Sequence, residues 1–150
     1  MAPSLKVMIV EDNLMLADLL EEILVSQGHT VCGIARTAEE GVALGRQACP
    51  DLAIIDVRLA DGGFGPEVAE ALADLTDMGV LYATGNLDMA VVLDARGQGC
   101  LVKPYRIEDL VRSIEIVEEL RRFGRTTGPT PRGFHALRSR PPARGDAANG

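Results

Sequence analysis

The run Leu52-Ala53-Ile54-Ile55-Asp56 constrains the fold more than any other stretch of the chain. Four apolar residues in a row, two of them β-branched, read as a strand buried on both faces, as in the middle of a parallel sheet. The run stops at a carboxylate. Val57-Arg58-Leu59-Ala60-Asp61-Gly62-Gly63-Phe64-Gly65 follows, a loop rich in glycine. In an open α/β sheet the crevice for a ligand lies beyond the carboxyl ends of the strands, where this topology puts Asp56. By itself Asp56 reads more readily as a turn or capping residue, so its meaning depends on what else reaches that crevice.

Four more apolar runs share the pattern. Lys6–Val10 ends in Glu11-Asp12, Thr30–Ala35 precedes Thr37, Val80–Ala83 ends at Thr84-Gly85, and Cys100–Val102 runs into Lys103-Pro104. Helical segments alternate with them. Leu16, Leu19, Leu20, Ile23 and Leu24 predict a core-facing stripe on the first helix. Thr37-Ala38-Glu39-Glu40 is a capping box opening a helix to about Ala48, and Pro66 suits the first turn of a helix to about Leu75. A short helix is expected around Asp88–Ala95. The last helix, Ile107 to about Arg122, should turn Ile107, Leu110, Ile114 and Val117 to the core. Five such units imply a three-layer (βα)5 domain, a doubly wound five-stranded parallel sheet of flavodoxin-like type.

Expected boundaries are a short extension at 1–4, one folded domain over 5–122, and a disordered Arg/Pro/Gly-rich tail over 123–150. Charge divides at the same place. Residues 1–120 hold 8 Lys and Arg against 21 Asp and Glu, while residues 121–150 hold 7 Arg against one Asp. An acidic body disfavours broad contact with nucleic acid phosphates, and the tail has too few aromatics for base stacking. Three dispersed cysteines suit a reducing compartment, and no run nears a membrane span, so a cytoplasmic protein is expected.

Glu11, Asp12, Asp56, Thr84 and Lys103 thus stand at four of the five strand ends and converge on one crevice. Three carboxylates repel one another without a cation, and an all-oxygen donor set favours Mg²⁺. Lys103 and the Thr84 hydroxyl can hold phosphate oxygens, with Asp56 as a carboxylate nucleophile. A hydrolase using an aspartyl phosphate is a second reading. Such enzymes need an Asp two residues past the nucleophile, and that position is Arg58.

Together these residues resemble the receiver domain of two-component response regulators, over about residues 5–122. The resemblance implies that Asp56 accepts phosphate from a histidine kinase or phosphotransfer protein. It implies Mg²⁺ on Asp12, Asp56 and the Arg58 backbone carbonyl, with Glu11 acting through water. Thr84 and Lys103 would hold the phosphoryl group. Receivers usually carry Phe or Tyr three residues before this lysine, where this chain has Cys100. Tyr82-Ala83-Thr84-Gly85 instead resembles the subgroup named for a Phe-Ala-Thr-Gly stretch (FATGUY), with Asn86-Leu87 departing from it. The usual Thr–aromatic switch is therefore not expected here.

Two surfaces are expected to meet partners. Met15, Asp18, Glu22 and Val25, with Pro104 and Tyr105, should form a mixed apolar–acidic rim beside Asp56 for a phosphodonor protein. Ile116, Leu120 and Phe123, at i, i+4 and i+7, should form an exposed stripe for a homodimer or effector. No output domain is expected in the residues after Arg122, so the domain should signal through protein contacts, or serve as a phosphate sink or shuttle.

Overall fold

The computed structural model describes residues 4–85 and 88–138. The elements run β1 (Lys6–Val10), α1 (Leu14–Ser26), β2 (Thr30–Ala35), α2 (Ala38–Ala48), β3 (Leu52–Asp56), α3 (Pro66–Ala71), β4 (Gly79–Thr84), α4 (Met89–Val92), β5 (Gly99–Val102), α5 (Ile107–Phe123) and β6 (Phe134–Ala136). Local chemistry sets several ends. The Asn13 side chain accepts from the backbone N–H of Met15 and Leu16 to start α1, and Thr37 accepts from the Glu40 N–H to start α2. Gly28, at φ 89°, turns the chain out of α1 in a conformation that a residue with a Cβ rarely adopts.

The sheet order is β2-β1-β3-β4-β5-β6, with the first five strands parallel. One buried cluster joins the sheet to α1 and α5, and the other joins its opposite face to α2, α3 and α4. The winding direction reverses between β1 and β3, and the crevice beyond that reversal is where such sheets bind ligands. Val10 pairs with Ile55 there, so Glu11 and Asp56 leave the sheet side by side.

The sequence-based picture needs four corrections. A sixth strand exists, because β6 pairs antiparallel with β5 over Gly99↔Ala136 to Leu101↔Phe134. The expected disorder of 123–150 therefore does not hold for residues 124–138, and residues 139–150 lie outside those described. The anchors are few but apolar. Phe134 and Leu137 are both buried, and a Cβ at Gly99 would collide with the Phe134 ring, so only glycine leaves that ring its seat.

Secondly, the expected exposed stripe on α5 is mostly core. Ile116 and Leu120 are 0% and 4% exposed, and only Phe123, at 61%, faces solvent. Ile116, Leu120 and Phe134 belong to one buried cluster, so the tail encloses a helix side that periodicity alone had left open. Thirdly, on α1 the small Ala17 faces the sheet with Leu20, Ile23 and Leu24, whereas Leu16 and Leu19 are 40% and 48% exposed. Alanine allows a close helix–sheet approach, which rotates the two leucines outward. Fourthly, Ile107 is exposed rather than core-facing, at the first residue of α5.

Candidate functional site

Glu11 and Asp12 follow β1, Asp56 closes β3, Thr84 closes β4 and Lys103 follows β5. One carboxylate oxygen from each of Glu11, Asp12 and Asp56 lies within 4.8 Å of the other two. Lys103 Nζ stands 3.4 Å from Asp56 Oδ1 and 3.7 Å from Glu11 Oε1. The four charged residues expected to converge do so at one end of the sheet, and Thr84 ends the neighbouring strand β4. Lys103 donates its backbone N–H to the Thr84 carbonyl at 2.8 Å, which fixes the β5 loop to the end of β4, and its bond to Pro104 is cis.

The loop after β3 folds back on Asp56. Gly65 donates to the Val57 carbonyl at 2.7 Å, and a Cβ at Gly65 would strike the Asp56 carbonyl oxygen, so the glycine permits that return. Asp12 accepts from the Ala60 N–H at 2.5 Å, tying this loop to the end of β1. Asp56 keeps an open aspect, with 13% of its side chain exposed against 5% for Glu11.

Burial pushes the Glu11 carboxyl up to about 7; the Asn13 N–H and Lys103 oppose that rise, and Asp56 and Asp12 add to it. Clustered carboxylates held out of water favour a compensating cation. Three carboxylate donors from two stretches of chain fit a hard divalent ion such as Mg²⁺. Thr84 is buried, and its hydroxyl donates to the Gly85 carbonyl at 3.1 Å. Tyr105 is half-buried; burial raises its hydroxyl pKa first, and the nearby Glu11 and Asp56 charges raise it further.

The Arg58 side chain is tethered. Its guanidinium pairs with Asp88 at 3.0 Å and lies over the Phe64 ring at 5.7 Å from the centroid. Neither partner was legible beforehand, since Asp88 sits thirty residues away and reads locally as a helix start. Asn86, which departs from the FATGUY pattern, lies outside the described residues. Tyr82 is wholly buried, and its hydroxyl donates to the Arg96 carbonyl at 2.6 Å, so this aromatic is anchored in the core.

Of the expected docking rim, Met15, Asp18, Glu22, Val25 and Pro104 are exposed, while Tyr105 packs partly on the core. Met15 lies in the first turn of α1, next to the site. Val25 is near the other end, about 15 Å further along the axis at 1.5 Å per residue. The rim is therefore a strip running away from Asp56 and not a ring around it.

A five-unit doubly wound sheet with an acidic triad and a lysine at its switch point defines a class of phosphoacceptor domains, and the comparisons place the chain within it. Residues 7–115 match the family model described as the response regulator receiver domain. The chain belongs to that family, and this region is a receiver domain of a two-component response regulator. It is 32% identical over 114 residues to the transcriptional regulatory protein PdtaR of Mycobacterium tuberculosis, covering 74% of this chain and 55% of that protein. It is 33% identical over 116 residues to the acid tolerance regulatory protein ActR of Rhizobium meliloti, covering 75% of this chain and 59% of that one. The chain thus spans somewhat more than half the length of these curated relatives.

Among solved structures, the N-terminal domain of a response regulator/sensory box/GGDEF protein from Carboxydothermus hydrogenoformans superposes with a TM-score of 0.68 at 28% identity, covering 77% of this chain and 94% of that one. The receiver domain of Erythrobacter litoralis PhyR superposes at 0.70 with 22% identity, covering 85% and 97%, a likeness of fold. Receiver domains are regulatory phosphoacceptors that bind Mg²⁺ and act through partners. Among the described residues, no helix is long and apolar enough to cross a membrane.

Proposed function

We propose that this receiver takes a phosphoryl group on Asp56 from the phosphohistidine of a kinase or phosphotransfer protein. The observation that carries the reading is the Glu11–Asp12–Asp56 cluster within 4.8 Å, with Lys103 Nζ 3.4 Å from Asp56. Mg²⁺ would be held by Asp12, Asp56 and the Arg58 backbone carbonyl, with Glu11 through water, and would supply charge compensation for phosphate oxygens. Asp56 is the most open of the cationic partner's two carboxylates and is free to attack phosphorus in line. Lys103 moves from pairing Asp56 to pairing a phosphoryl oxygen, and the Thr84 hydroxyl exchanges the Gly85 carbonyl for another. Arg58, where a hydrolase would carry its acid–base Asp, leaves the intermediate without a built-in route to rapid turnover.

The Met15, Asp18 and Glu22 strip, with Pro104 and Tyr105, is the dock for the donor protein, because it begins beside Asp56 and mixes exposed apolar and acidic groups. Output passes through protein contacts in the cytoplasm; a role as phosphate sink or shuttle is the second reading. Incubation with acetyl phosphate and Mg²⁺, followed by intact-mass measurement, tests the site. Wild type should gain one phosphoryl group, Asp56→Asn none, and Lys103→Ala little while still binding Mg²⁺. Equal labelling of Asp56→Asn would overturn the assignment.

A further inference from the structure

The residues after α5 do more than extend the sheet. Thr126 donates its hydroxyl to Glu119, and Arg112 donates to the Thr127 carbonyl at 2.5 Å and to the Pro129 carbonyl at 2.8 Å. Arg112 lies nearer the start of α5 and Glu119 nearer its end, so the segment climbs back along the helix toward the site. Arg112, Ile116, Glu119 and Leu120 share one helix side by their spacing. The climb ends at Gly133, whose carbonyl accepts the Val102 N–H at 2.9 Å, one residue before Lys103. The chain then turns into β6, seats Phe134 against Gly99, buries Leu137 and pairs Arg138 with Asp94 at 3.4 Å.

We propose that residues 124–138 are a releasable strap over an interaction surface, formed by the β5 edge and the Ile116–Leu120 side of α5, and that its hold depends on the state of Asp56. The inference rests on the phosphoacceptor reading above. Three features argue for release. The strap's sheet pairing is three residues long, with His135 and Ala136 exposed, and Phe134 and Leu137 are the two side chains it buries. It bonds to β5 next to Lys103, the group whose contacts must change when Asp56 gains phosphate. Its removal would bare an unpaired strand edge beside two large apolar residues, the make-up of a protein-binding surface. The chain's own tail is the occupant when Asp56 is unmodified.

Backbone hydrogen exchange on the full chain with Mg²⁺, with and without acetyl phosphate, tests this, with intact mass read on the same samples. Amides of Phe134–Leu137 should exchange about fivefold faster in the phosphorylated wild type, with no change in Asp56→Asn. Phe134→Ala should exchange fast without any phosphodonor and still gain its phosphoryl group. Arg112→Ala, which loses two carbonyl contacts and leaves the core intact, should also exchange faster. A wild type that gains phosphate while Phe134–Leu137 stay equally protected, or become more so, overturns the strap. Slow exchange in both variants overturns it as well. A wild type that gains no phosphate overturns the phosphoacceptor reading, and the strap's control with it.

Discussion

The two helices on the same face of the sheet are finished differently. α1 leaves Leu14, Met15, Leu16, Leu19 and Val25 between 40% and 83% exposed, whereas α5 buries Leu110, Ile114, Ile116, Val117 and Leu120 and exposes Ile107 and Phe123 at its two ends. Both sequences carry more apolar residues than one core-facing stripe needs. The difference is what lies outside them: solvent over α1, and residues 124–134 of the chain itself along α5. Surplus apolar positions are an open surface on the first helix and a closed one on the second, and only tertiary structure separates the cases.

The largest test of this contrast is a charge on each side. Ile116→Asp buries an unpaired carboxylate and should destabilise the domain by about 3–5 kcal/mol, while Met15→Asp should change stability by less than about 0.5 kcal/mol. Urea unfolding of both variants reads the difference. Equal stability losses would mean that α5 is as open as α1.

Thiol chemistry sharpens the closed side. Cys100 on β5 is wholly buried, and that burial pushes its thiol from 9.0 up to about 11, whereas Cys49 is exposed. At pH 8 this shift alone cuts the Cys100 thiolate population about a hundredfold. Mass-resolved alkylation of the native protein should therefore modify Cys49 well before Cys100. The same shift has a sign for stability. Between the two values the unfolded chain releases this proton and the folded chain keeps it, so stability falls as pH rises from 9 toward 11. Cys100→Ala should flatten that part of the pH–stability curve.

On the open side, Met15→Asp should slow phosphotransfer from the cognate histidine donor about tenfold and leave acetyl phosphate labelling intact. Equal slowing with both donors would place the damage in the site and remove α1 as the dock.

The smallest effect concerns the loop after β3. Arg58 stands two residues past Asp56, with its guanidinium held by Asp88 and Phe64. Arg58→Ala should speed phosphate loss about threefold, and Asp88→Asn should do so in part by loosening the same guanidinium. Unchanged decay in both would leave Arg58 without influence on water entry.

Much of this was legible in the residues. The apolar runs ended where β1, β2 and β3 end, and the capping box at Thr37 and the proline at 66 opened their helices as expected. Glu11, Asp12, Asp56, Thr84 and Lys103 could be gathered because each directly follows or closes a parallel strand, and parallel strands bring such ends together whatever the side chains do. Strand runs and caps are short-range signals, written within a few residues of where they act.

Tertiary structure decided what depends on distant partners. Ile116 and Leu120 have the spacing of an exposed stripe, and they are core because Phe134 and the segment before it return over that side of α5. The composition of the tail argued for disorder, yet one phenylalanine finds a seat that exists only because residue 99 is glycine. The Arg58 side chain has its partners only because the fold brings Asp88 and Phe64 to it. Leu16 and Leu19 fit the core period of α1 as well as the residues that won it, and the smaller Ala17 took the buried place. Periodicity states which residues can share a face; which face is covered, and by what, is settled by contacts between segments far apart in the chain.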